Sequence, residues 1–123
     1  MRDIKFRVWK WKTGYMTPVI TMSWTMTTYV PKIKYINLKR KGDYELMQFT
    51  GLLDRHGKEI YEGDLLKTRE RDAIHRHLVY EVVWVGVGFQ LKPNDRGYES
   101  QVVTSGVDLE IIGNIWENPE LLK

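Results

Sequence analysis

Short runs of period two, broken by glycines, constrain this chain more than any other feature. At the start, apolar Ile4, Phe6 and Val8 alternate with Lys5 and Arg7, the pattern of a strand with one face turned to a core. Trp9 and Trp11 share the parity of the cations. The second face is therefore expected to show Lys5, Arg7, Trp9 and Trp11 to solvent, with Lys12 beyond. "ITMSWTMTTYV" is rich in Thr, Met and aromatic residues and reads as a further strand closed by Pro31. "KIKYINL" alternates again. From about His75 to Val85, the set Leu78, Tyr80, Val82 and Trp84 alternates with Val79, Glu81, Val83 and Val85, which predicts a strand buried on both faces near its end. Little helix is expected beyond a short turn at 119–122.

The glycines between these runs read as backbone chemistry. In "DRHGKEIYEGDLLK", Asp54 holds the first turn position and Gly57 the fourth, which predicts a hairpin. Gly63 precedes Asp64, a pairing in which glycine takes an angle other residues avoid and the Asp side chain accepts local N–H groups. Gly113 reads as a bend or bulge and Asn118-Pro119 as a stop. Gly86 and Gly88 form a turn; with no third glycine and no helix behind them, they do not make a dinucleotide loop.

With 123 residues, 42% hydrophobic and 28% charged, the chain has the size and composition of an ordinary globular domain. No apolar run approaches the roughly 18 residues of a membrane span, and the N-terminus alternates where a signal peptide needs a continuous apolar stretch. A cytoplasmic chain without a membrane partner is expected. The absence of cysteine excludes disulfides, thiolate nucleophiles and sulfur-based zinc sites.

Charge is distributed unevenly. Residues 1–41 carry ten Lys/Arg against Asp3 alone (+9), whereas residues 42–123 carry nine against fifteen acids (−6), giving the net +3. Cations interleaved with rings suit phosphates and bases. The candidate nucleic-acid residues are Lys5, Arg7, Trp9, Trp11, Lys12, Lys39, Arg40 and Lys41. The same asymmetry equally suits a basic half facing an acidic half, within one molecule or across a homo-oligomer. Met16, Met22 and Met26 add the adaptable apolar surface of a protein interface.

Catalysis has weaker support. His75 and His77 are two apart, so on a strand their side chains share a face about 6.5–7 Å apart, a usable metal-ligand spacing. Only Glu70 and Asp72 stand near as further ligands. Glu59, Glu62 and Asp64 could supply paired carboxylates, yet no nucleophile or base accompanies them. No metal, cofactor or enzymatic activity is expected.

Three segments carry a resemblance. "MRDIKFRVWK", "LMQFTGLLDRHGKEIYEGDLLK" and "EIIGNIWENPELL", about 45 of 123 residues, resemble the start, middle and end signatures of the YopX family, small proteins typical of bacteriophages and prophages. Lys10 departs from an acidic residue common after the first Trp, and "KIKYINLKRKGD" stands where an acidic insert often occurs. The resemblance implies a β-rich architecture with an open barrel of the SH3 type in the C-terminal part. The expected organisation is thus mainly β, a basic N-terminal β portion (1–45) packed on an SH3-like small barrel (46–123). The family's biochemical role is not established. A non-catalytic binding or oligomeric scaffold protein ranks first, a nucleic-acid-binding accessory protein second and a metal-dependent enzyme a distant third.

Overall fold

A computed structural model describes residues 5–11, 14–19, 21–22, 27–30, 33–37, 44–68, 78–86, 88–95, 97–103 and 105–122. It is mainly β, and the chain divides into two compact units, Met1–Gln48 and Phe49–Lys123. Among the described residues no helix is long and apolar enough to cross a membrane.

In the first unit, β1 (Phe6–Lys10) lies between β2 (Tyr15–Pro18) and the first half of β6 (Tyr44–Leu53), antiparallel to both. Val8 pairs with Thr17 and Leu46, and Trp9 with Met16 and Glu45. Directly paired residues share a face, so the register fixes the neighbours of each β1 side chain. Gly14, at φ +66°, donates its N–H to the Lys10 carbonyl and closes the β1–β2 hairpin. A separate antiparallel meander joins β3 (Thr21–Met22), β4 (Thr27–Val30) and β5 (Ile33–Asn37).

The second unit holds β7 (Glu59–Tyr61), β8 (Asp64–Thr68), β9 (Tyr80–Trp84), β10 (Phe89–Pro93), β11 (Gln101–Val102) and β12 (Leu109–Asn114), followed by a 3-10 turn at Pro119–Leu122. The second half of β6 pairs with β7. The remaining strands form one antiparallel sheet in the order β11-β10-β9-β8-β12. Its core joins Ile60, Leu66, Leu78, Tyr80, Val82, Phe89, Leu91 and Leu109, each worth about 1.5–3 kcal/mol when its side chain leaves water. Alternation is visible here: Tyr80 and Val82 are buried while Glu81 and Val83 are half-buried. Gly113 sits at the register shift of the β8–β12 ladder, the bulge its sequence context predicts.

One expectation needs correction. The long strand expected from His75 to Val85 runs only from Tyr80 to Trp84, and residues 71–77 lie outside the described residues. Its end is also not covered on both faces, because Trp84 is 50% exposed and Val85 is exposed too. Trp84 packs on Phe89 at the margin of the core, with ring centroids 4.9 Å apart, and Val85 stands where β9 turns through Gly86 and Gly88. The mainly β architecture expected is present: among the described residues the five-stranded sheet is a curled half-barrel whose end strands, β11 and β12, do not pair with each other.

Candidate functional site

The basic aromatic strand is only partly a surface. Lys5 is exposed and Arg7 half-buried, but Trp9 is 5% exposed and does not offer a ring for stacking. β1 is an interior strand, so its large side chains are flanked from both sides, Trp9 by Met16 and Glu45. Trp11 packs against Trp9 edge to face, with ring centroids 6.5 Å apart at 84°, a preferred geometry for aromatic pairs. Trp11 itself remains 48% exposed, and its Nε1 lies 3.5 Å from Glu45 Oε1. An acid thus sits beside the cationic strand. Lys12, Lys39, Arg40 and Lys41 lie outside the described residues, as do Met26, Glu70, Asp72, His75 and His77.

The central motif is a corner of the second unit. Asp54 is 5% exposed, and its carboxylate accepts three backbone N–H bonds. Oδ1 takes those of His56 (2.8 Å) and Lys58 (2.9 Å), and Oδ2 takes that of Ile111 on β12 (3.1 Å). Arg55 adds its own N–H to the Leu109 carbonyl at 2.8 Å. One side chain therefore shapes the turn and ties it to a strand 57 residues away. Burial alone would raise the Asp54 pKa, but the N–H groups of Lys58, Ile111 and His56, with the nearby His56 ring, outweigh it and hold the carboxyl below its ordinary value of 3.8. His56 Nε2 lies 3.4 Å from Glu110 on β12, both half exposed.

Asp64 works in the same way, accepting the Tyr61 N–H at 2.8 Å. Gly63, at φ +83°, donates to Val82 and accepts from Ile115, joining β9 to the C-terminal segment. Glu59 lies 3.4 Å from the Tyr61 hydroxyl. At the end of β12, Asn114 Oδ1 accepts from Trp116 (3.0 Å) and Glu117 (2.8 Å), while Asn118 Oδ1 accepts from Asn114 (3.2 Å). The Asn118 side chain fills the space where a Gly113 Cβ would be. Among the described residues no three His, Asp or Glu side chains gather as metal ligands.

Sequence reasoning missed two features. Gly106 is buried, and a Cβ there would strike the Leu53 carbonyl; an isolated Gly in "TSGVD" gives no sign of a close approach. Glu81 is half-buried on β9 opposite Lys92, with its carboxyl pushed up by burial and partly restored by that lysine. The alternation placed Glu81 on the second face of a strand expected to be covered on both sides near its end, but gave no sign of the facing lysine.

Fold and corners define a class: mainly antiparallel β proteins whose turns are locked by buried Asp and Asn side chains. The YopX protein family model matches residues 5–123, and the chain belongs to that family. Its fold is similar to that of protein EF1440 from Enterococcus faecalis, with a TM-score of 0.74 at 24% identity over the full length of both chains. Protein yopX from Bacillus subtilis is also similar, with a TM-score of 0.61 at 20% identity, covering 100% of this chain and 98% of that one. At these identities the likeness establishes the fold alone. No curated protein matches the chain.

Proposed function

We propose that this YopX-family chain is a non-catalytic binding protein of prophage origin, working as a homo-oligomer in the cytoplasm of its bacterial host. The observation that carries this reading is the set of large apolar side chains left exposed at the turn and edge of the second unit's sheet. Trp84 and Val85 stand exposed at the β9–β10 turn, and Val102 is 69% exposed on the adjoining edge. Large apolar groups left in water at a sheet's turn and edge mark interaction surfaces more often than chemistry. The acids of the central motif support the same reading, since Asp54 and Asp64 spend their oxygens on backbone N–H groups. Light scattering at several protein concentrations tests it. A mass above that of one chain is expected, and the mass of one chain at every concentration overturns the proposal.

A second reading, nucleic-acid binding, is favoured by Lys5 and Trp11 being exposed at the two ends of the β1 face. Anisotropy of a labelled oligonucleotide, titrated at several salt concentrations, separates it from the first. Lys5→Glu should weaken binding across all sequences and reduce the slope of log affinity against log salt by about 1. An unchanged slope counts against phosphate contact by this strand.

A further inference from the structure

The two edges of the five-stranded sheet are treated differently. Along β12 the outward backbone groups are taken by the Asp54 corner: Leu109 O receives the Arg55 N–H and the Ile111 N–H reaches Asp54 Oδ2. β11 has no such cover among the described residues, and Gln101 and Val102 are both exposed. Its pairing with β10 sets Val102 opposite Gln90 and Gln101 opposite Leu91, while the Val103 N–H bonds inward to Phe89 O at 3.3 Å. Backbone groups alternate sides along a strand. The N–H and C=O of Val102 therefore point away from the sheet, toward an open edge.

Exposed edges are blunted by being short, as the two-residue β11 is, and also by Lys, Pro or an inward charge. Residues 97–107, "GYESQVVTSGV", contain no Lys, Arg or Pro, and their one charge is Glu99. We infer that β11 is the edge through which two copies of this chain join, as an antiparallel, hydrogen-bonded strand pair centred on Val102; this rests on the self-association proposed above. A pair centred on one residue is self-complementary, because the outward N–H and C=O of Val102 supply both of its bonds across a two-fold axis. In that register Glu99 faces Ser105 of the second copy, so no like charges oppose. Val102 meets its own copy and extends the row Val83, Gln90, Val102 across the junction.

The chain has no cysteine, which makes a single-cysteine variant decisive. Hydrogen-bonded antiparallel partners lie about 5.5 Å apart at Cα, within disulfide reach. Under a mild oxidant, Val102→Cys should form a covalent dimer, whereas Val107→Cys, at a position 71% exposed, should remain a single chain. Val102→Lys sets two cations face to face and should reduce the light-scattering mass while the strand signal in circular dichroism persists. If Val102→Cys cross-links no faster than Val107→Cys while the unaltered chain is larger than a monomer, the β11 junction is wrong and self-association stands. If the unaltered chain has the mass of one chain at all concentrations, both fall. Should Val102→Lys fail to fold, the cross-linking pair decides alone.

Discussion

The Asp54 corner and strand β1 are both dense in charge beside glycines or rings, and the fold uses them in opposite ways. At the corner, polar atoms turn inward, and the buried carboxylate replaces water for three backbone donors. On β1 the apolar ring of Trp9 turns inward, while the charge of Lys5 stays at the surface. Short acidic side chains next to glycine thus report on backbone architecture. Alternation on a strand reports a face without saying whether that face is covered.

The largest test of this contrast uses the two tryptophans. Trp9→Ala should cost about 3–5 kcal/mol, as removal of a buried Trp side chain does. Trp11→Ala, at a half-exposed ring, should cost under about 1 kcal/mol, comparable to the value of one edge-to-face contact. Urea unfolding of the two variants measures both. Equal losses would mean that the strand hides both rings alike.

Asp54 comes next. Asp54→Ala leaves three backbone N–H groups without their acceptor, and a buried unsatisfied group costs about 1–3 kcal/mol, so a loss of about 2–4 kcal/mol is expected after water reaches some of them. Asp54→Asn keeps one oxygen for the turn and loses the tie to Ile111, so it should fall between Ala and the unaltered chain. Acidification separates charge from shape. Because the folded-state pKa lies below 3.8, the ionised carboxylate contributes its full stability above that pH and loses it as pH falls through the folded value. The gap between Asp54→Ala and the unaltered chain, followed by urea unfolding from pH 6 downward, should narrow below pH 3.8. A gap constant across that range would assign the effect to shape alone.

What the sequence made legible follows the same division. The strands β1, β5 and β9, the Asp54 hairpin, the Gly113 bulge and the terminal turn all follow from period two and from Gly, Asp and Pro at turn positions, because those are local properties of the backbone. Trp9 was not legible in the same way. Its parity with Lys5 and Arg7 is real, but its burial depends on β1 being an interior strand, which requires Met16 and Glu45 from elsewhere in the chain. Gly106 is similar: its constraint is the Leu53 carbonyl, 53 residues away. The candidate surfaces, too, were read from composition, whereas the exposed edge at Val102 emerges only once Val103 is seen bonding inward to Phe89.

The smallest effect is the most discriminating about the corner. Gly57 closes the Asp54 turn at φ +80°, with nothing within 4 Å of where a Cβ would lie. Any cost of substitution there is therefore backbone strain without crowding. Left-handed geometry costs an ordinary L-residue about 1–2 kcal/mol, and Asn tolerates it better because its side chain bonds locally. Gly57→Ala should lower stability by about 1 kcal/mol and Gly57→Asn by roughly half of that, with both variants retaining the acid dependence set by Asp54. Thermal unfolding resolves the pair, since a shift of 1 kcal/mol moves the midpoint of a domain this size by about 4 °C. If Gly57→Asn loses as much as Gly57→Ala, the turn is held by something other than its left-handed glycine, and the corner's dependence on Asp54 must be larger than these three hydrogen bonds imply.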